Sequence, residues 1–133
     1  MIEKIDHLGI AVRDLKAAMA VYAGLGLPLD GAEEVPTEQV RTAFFAAGES
    51  HIELLESTSP EGPIARHIDK RGEGIHHVAL RVDDIEQAMA AAKAQGLQLL
   101  SEAPRPGAHG TKQVFIHPKS TGGVLIELVQ HSR

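Results

Sequence analysis

The sequence predicts an α+β domain built from two copies of one β-α-β-β(-β) unit, and three observations carry that prediction. Residues 5–29 (IDHLGIAVRDLKAAMAVYAGLGLPL) recur at 75–99 (IHHVALRVDDIEQAMAAAKAQGLQL) with a constant offset of 70, and ten of the 25 positions are identical. The match crosses a segment of period two and then one of period near 3.6, so what repeats is a strand followed by a helix. Later in each copy, HIELLE (51–56) and VLIELVQ (124–130) both present Ile-Glu-Leu, now at an offset of 74. The four extra residues fall in the longer loop PKSTGG of the second copy.

Each element follows from local pattern. In the first copy Leu8, Ile10 and Val12 alternate with His7, Gly9 and Ala11; in the second, Val78, Leu80 and Val82 alternate with His77, Ala79 and Arg81. Alternation of this kind is a half-buried strand with a lined opposite face. Asp14 and Asp84 stand at helix N-cap positions, ahead of Leu15, Ala18, Met19 and Tyr22, or of Ile85, Ala88, Met89 and Ala92. Gly26 and Gly96 close those helices. Further strands are predicted at Val40–Ala46, His51–Glu56, Gln113–His117 and Val124–Gln130. The whole chain, 1–133, reads as one domain: module one over about 1–57, a connector over about 58–73 with an amphipathic piece at Ile64–Ile68, and module two over about 74–133.

Composition narrows the chemistry. A chain of 133 residues buries roughly two-thirds of its unfolded surface and needs no staples. With no cysteine there are no disulfides, thiolate metal sites or cysteine nucleophiles, and any metal must be held by nitrogen and oxygen. The net charge of −5 is spread without a basic run, and one tyrosine and three phenylalanines offer no stacking platform, so nucleic acid is not an expected partner. No apolar run long enough for a membrane span and no presequence pattern is found, which predicts a cytoplasmic protein. Eight histidines exceed what this length usually carries.

Those histidines are where the repeat becomes chemical. Each copy contributes one histidine early (His7, His77) and one glutamate late (Glu53, Glu127). A carboxylate inside an apolar strand costs several kcal/mol to bury unless it is paired or bound to a cation. If the copies face each other across a pseudo-two-fold axis, the four side chains form a His2Glu2 set. Imidazole and carboxylate suit borderline divalent ions such as Co²⁺, Zn²⁺, Ni²⁺ or Mn²⁺, with positions left for water or substrate. A single strand histidine is more often an ordinary core or surface group; recurrence in register is what distinguishes these two. His76 aligns with Asp6 and so points away from that site, although it adjoins His77. His51, His67, His109, His117 and His131 have no histidine counterpart and are expected on the surface or in loops, with His109 and His117 nearest a ligand.

The stretches IDHLGIAVRDL, GIHHVALRVDDI, HIELLE and HPKSTGG followed by VLIEL resemble the vicinal-oxygen-chelate family, and within it the methylmalonyl-CoA epimerases, over essentially the whole chain. The resemblance implies two paired βαβββ modules forming an open cup around a divalent metal, with His7, Glu53, His77 and Glu127 as ligands, and a homodimer. It implies a CoA thioester substrate, inverted at C2 through an enolate, with Glu127 as base as well as ligand. Some relatives place a second glutamate on the strand VRTAFFAAG; counting back from Gly48 puts Ala43 there, and alanine transfers no proton. Either Glu38, Gln39, Lys112 or a bound water then supplies the second proton, or that role does not carry over to this chain. Ser120, Thr121, Gly122 and Gly123 are candidate substrate-binding residues through backbone N–H groups and hydroxyls, with Lys112 beside them. A glyoxalase-I-like lactoylglutathione lyase shares the donor set and is the nearest competing activity. A non-catalytic binding protein on the same fold is the next, and an Fe(II) dioxygenase is disfavoured by the fourth protein ligand.

Overall fold

The computed structural model describes residues 1–132. Each repeat has the order strand, helix, three strands: β1 Ile2–Ala11, α1 Leu15–Gly24, β2 Leu29–Val35, β3 Val40–Ala47 and β4 Ser50–Ser57, then β5 Gly74–Val82, α3 Ile85–Ala94, β6 Arg105–Pro106, β7 Lys112–Ile116 and β8 Ile126–Gln130. Between them α2 spans Pro63–Arg71. It is longer than the Ile64–Ile68 piece the sequence predicts, and it buries those two isoleucines. None of the described helices is long and apolar enough to cross a membrane.

The chain divides into two compact units. One comprises His7–His76, with strands in the order β2-β3-β4-β1. Here β1 runs parallel to β4, and the other neighbours are antiparallel. The second unit comprises Met1–Asp6 together with the residues from His77 onward, with strands in the order β5-β8-β7-β6 and β5 parallel to β8. The division therefore falls inside β1, six residues from the start of the expected module one. Polar contacts account for this. The Met1 ammonium lies 2.8 Å from Asp83 Oδ1, the Asp83 N–H donates to the Met1 carbonyl, and Arg81 Nε donates to Asp6 at 2.9 Å.

The helices begin and end as the repeat predicts. Asp14 Oδ1 accepts from the Ala17 N–H at 3.1 Å and Asp84 Oδ1 from the Gln87 N–H at 3.0 Å. At the far ends the N–H groups of Gly26 and Leu27 return to Ala23 and Tyr22, and those of Gly96 and Leu97 to Lys93 and Ala92. This is a Schellman closure, and the positive φ of Gly26 (96°) and Gly96 (83°) is what it requires. A second acceptor per helix is absent from the list of sequence identities: Glu56 Oε2 takes the Leu15 N–H at 3.0 Å, and Gln130 Oε1 takes the Ile85 N–H at 2.8 Å.

Each helix covers one face of its own strands. Under α1, Val12, Ala43, Phe45 and Leu54 are buried against Leu15, Ala18, Met19 and Tyr22. Under α3, Val82, Val114, Ile116 and Leu128 are buried with Ile85 and Met89. Full burial of such side chains stabilises by roughly 1.5–3 kcal/mol each. The opposite faces carry His7, Glu53, His77 and Glu127. Leu54 is fully buried beneath α1, so Leu54→Ala should lower unfolding free energy by about 2–5 kcal/mol in urea titration. Asp84→Ala should cost about 1 kcal/mol through the lost cap, leaving the strand faces unchanged.

Candidate functional site

In the His7–His76 unit, parallel pairing sets Gly9 opposite Glu53 and His7 opposite His51, while antiparallel pairing sets Phe44 opposite Glu53. Cross-strand neighbours share a face. The glutamate is therefore flanked by a residue with no side chain and by an aromatic ring. His7 Nε2 lies 3.2 Å from Glu53 Oε1, and both residues are buried. The Phe44 ring stands nearly perpendicular to the His7 ring at 6.5 Å.

The second unit repeats this arrangement more tightly. Ala79 and Phe115 flank Glu127. His77 Nε2 lies 2.9 Å from Glu127 Oε1, and the Phe115 ring is perpendicular to that of His77 at 5.5 Å. Glu127 is 3% exposed and His77 is 4% exposed. At such burial a carboxylate needs positive charge or strong hydrogen bonds, and an imidazole supplies full charge only when protonated. The donor set of each pair, one imidazole nitrogen and one carboxylate oxygen, is the kind a borderline divalent cation takes.

The other expected site residues divide. Ser120 lies in a 3-10 turn (Pro118–Ser120), and its Oγ accepts from the Gln98 N–H at 3.0 Å. The hydroxyl of Thr121 donates within the turn, to the carbonyls of Pro118 and Val124. The N–H groups of Ser120, Thr121 and Gly123 are consumed by His117 and Pro118 carbonyls. An anion-binding loop of four N–H groups is thus not what forms; the Gly122 N–H and the Ser120 O–H are what the turn leaves to offer. Gly122 (φ 73°) and Gly123 (φ 100°) are both left-handed, which explains the glycine pair conformationally. The same turn delays β8 to Ile126, two residues later than expected. Lys112 is exposed and shares strand parity with Val114 and Ile116, whose side chains lie under α3. Its side chain therefore starts on the face opposite Phe115 and Glu127.

Ala43 is corrected by the same parity. It pairs with Leu54 and is fully buried under α1, whereas Thr42 and Phe44 share the Glu53 face. Position 43 therefore faces away from Glu53, and in a strand a single residue separates the two faces. Thr42 is 2% exposed, and its hydroxyl donates to the Glu33 carbonyl at 3.2 Å.

The remaining histidines have separate duties. His51 lies on β4, on the His7 face, with Nε2 2.7 Å from Asp30 Oδ2. His117 caps the 3-10 turn, its Nδ1 accepting from the Lys119 N–H. His109 is exposed with a left-handed φ of 58°. His131 Nε2 is 2.7 Å from Asp6 Oδ1 and 3.1 Å from Arg81 Nη2. One nitrogen cannot donate to the first and accept from the second together, so either tautomer leaves one of those contacts unbonded. His76 meets the His67 ring edge-on at 4.8 Å. The sequence reading missed Phe44 and Phe115, although they sit at an offset of 71, close to the two offsets already found.

Comparison with known proteins agrees with this geometry. The family model of the Glyoxalase/Bleomycin resistance protein/Dioxygenase superfamily matches residues 6–115. Human mitochondrial methylmalonyl-CoA epimerase is 38% identical over 129 residues, covering 96% of this chain and 73% of the relative. The ethylmalonyl-CoA/methylmalonyl-CoA epimerase of Cereibacter sphaeroides is 38% identical over 133 residues, covering 98% and 99%. A variant of Streptomyces coelicolor methylmalonyl-CoA epimerase, solved with 2-nitronate-propionyl-CoA, superposes with a TM-score of 0.97 at 34% identity, covering 100% of both chains.

One pH effect follows from His67. Burial, and secondarily the nearby Arg71 charge, hold its pKa below the ordinary histidine value. The unfolded chain then binds a proton more readily, so stability falls as pH drops below about 6.5 until the folded-state value is passed. His67→Gln should flatten the change in urea midpoint between pH 7.5 and pH 5.5; an unchanged slope would assign the effect elsewhere.

Proposed function

Because the chain belongs to the Glyoxalase/Bleomycin resistance protein/Dioxygenase superfamily, in the group that contains the methylmalonyl-CoA epimerases, we propose that it interconverts the (R) and (S) forms of methylmalonyl-CoA by moving the proton at C2. The observation that carries this reading is the in-register recurrence of a buried imidazole–carboxylate pair, His7 with Glu53 and His77 with Glu127. Core packing gives no reason to place two carboxylates on apolar strands. Proton transfer next to a thioester does.

In this reading the four side chains hold one divalent cation, Co²⁺ first and Zn²⁺, Ni²⁺ or Mn²⁺ next. The donor set supports it: His7, His77 and Glu127 are buried and each offers one ligand atom. When bound, such an ion supplies a Lewis acid that lowers the cost of negative charge on the thioester oxygen. Glu127 takes the proton from C2, leaving the electron pair delocalised into the thioester carbonyl, and a proton delivered by a bound water to the opposite face of C2 re-forms the C–H bond with inversion. Phe115 and Ala79 flank that carboxylate on the neighbouring strands, and it is 3% exposed. The Gly122 N–H and the Ser120 O–H bind the substrate's free carboxylate, and Thr121 and Gly123 shape the turn that presents them.

Incubation of metal-loaded protein with one enantiomer of methylmalonyl-CoA in D2O should give deuterium at C2 and the opposite enantiomer. Turnover of the methylglyoxal–glutathione hemithioacetal, without exchange at C2, would overturn the proposal in favour of the lyase. Glu127→Gln should slow exchange by roughly 10²–10⁴-fold, the usual contribution of a general base; near-normal exchange would remove Glu127 from that role. His77→Ala should lose bound metal by elemental analysis, whereas His76→Ala should retain it.

A further inference from the structure

We infer that Phe115, and less strongly Phe44, are positioning residues that seat the metal-binding imidazoles and keep their glutamate partners dry. The inference rests on the metal-site reading above and extends it to residues that donate nothing to a metal.

Three observations converge. The first is placement: each phenylalanine is the antiparallel cross-strand neighbour of a site glutamate, Phe44 of Glu53 and Phe115 of Glu127. The second is orientation: each ring stands edge-on to the histidine of the same pair, at interplanar angles of 85° and 90°. The third is what the rings do not do. The chain has three phenylalanines. Phe45 lies in the apolar core under α1, beside Tyr22 at 6.1 Å. Phe44 and Phe115 are not among the residues packed under α1 and α3; they lie on the opposite strand faces, with Glu53 and Glu127. A protein with so few aromatic rings has put two of them, at matched places, against imidazoles.

The physical role follows from histidine's χ2, a broad torsion with no strong intrinsic preference. A perpendicular ring in contact removes that freedom and is worth more than its buried area alone. The cross-strand pairing sets the same residue beside the carboxylate of the pair, so each phenylalanine borders both members. The two copies differ in degree. The His77–Phe115 separation is 5.5 Å and His77–Glu127 is 2.9 Å, against 6.5 Å and 3.2 Å for the His7 pair. Phe44 also divides its edge contacts between His7 and His51, each at 6.5 Å. Phe115 is therefore the tighter clamp, and it serves the glutamate assigned the proton.

The test is Co²⁺ binding to purified full-length protein, read by the visible d–d spectrum and by a competing chelator, with substrate kinetics alongside. Phe115→Leu should weaken Co²⁺ binding by about tenfold and change the shape of the spectrum. It should lower kcat more than it raises KM, and Phe115→Trp should restore most of the loss. Phe44→Leu should give the smaller effect. Val114→Ala, one residue away but facing α3, is the control for general loosening: it should lower the melting temperature while leaving the spectrum unchanged. A wild-type spectrum and affinity in folded Phe115→Leu would overturn the inference, as would the same spectral change in Val114→Ala. Failure of the unaltered protein to bind Co²⁺ would instead remove the metal reading itself, so the two failures are distinguishable.

Discussion

Everything in this molecule is arranged around the cost of burying a carboxylate. Glu53 and Glu127 lie on strand faces where only 6% and 3% of their surface reaches water. An isolated carboxylate there would protonate or unfold the strand around it. The chain instead meets each with a histidine at hydrogen-bonding distance and repeats the solution in its second half. A bond from neutral imidazole compensates only part of the charge. Two such buried imidazole–carboxylate pairs recur in one small chain, and it is on this donor set that the proposed cation rests.

The strands that carry these glutamates use both of their faces. In Ile-Glu-Leu-Leu-Glu and Ile-Glu-Leu-Val-Gln, the site glutamate and the residue three positions later point to opposite sides. Glu53 faces Phe44, while Glu56 reaches the first N–H of α1. Glu127 faces Phe115, while Gln130 reaches the first N–H of α3. A helix that begins on an acceptor from β4 or β8 cannot shift along its strand without losing it. The helix thus fixes the register of the strand that holds the site residue, and the small neighbours Gly9 and Ala79 leave room for the carboxylate.

Much of this was legible because the repeat is written in identities. His7/His77, Glu53/Glu127 and the capping pair Asp14/Asp84 are unchanged between copies, and pattern comparison finds them. What stayed hidden was functional equivalence without identity. Glu56 and Gln130 do the same work with isosteric acceptors, and a charged residue matched to a neutral one looks like divergence. The strand β2, Leu29–Val35, was unreadable for another reason: its composition is acidic and mostly exposed, and pairing with β3 makes it a strand. The faces of Ala43 and Lys112 both turn on strand parity, which motif spacing alone does not assign to a face. The PKSTGG loop looked like an anion cradle because its glycines and hydroxyls are the right types; the turn spends most of its donors on itself.

The two copies are not equivalent, and the asymmetry has a direction. The His77 pair is closer, drier and clamped by a ring of its own, whereas the His7 pair shares its ring with His51, which is anchored to Asp30. By offset, the second copy has Leu125 and Leu100 where the first has His51 and Asp30. Duplication alone gives two identical imidazole–carboxylate pairs, yet the proposed reaction takes a proton from one side of a carbon. Tightening one imidazole–carboxylate pair while surrounding the other with polar neighbours separates the roles of two glutamates that began alike. The residue preceding each histidine departs in the same way. Asp6, immediately before His7, is fastened by Arg81 and His131, and His76, immediately before His77, meets the His67 ring edge-on.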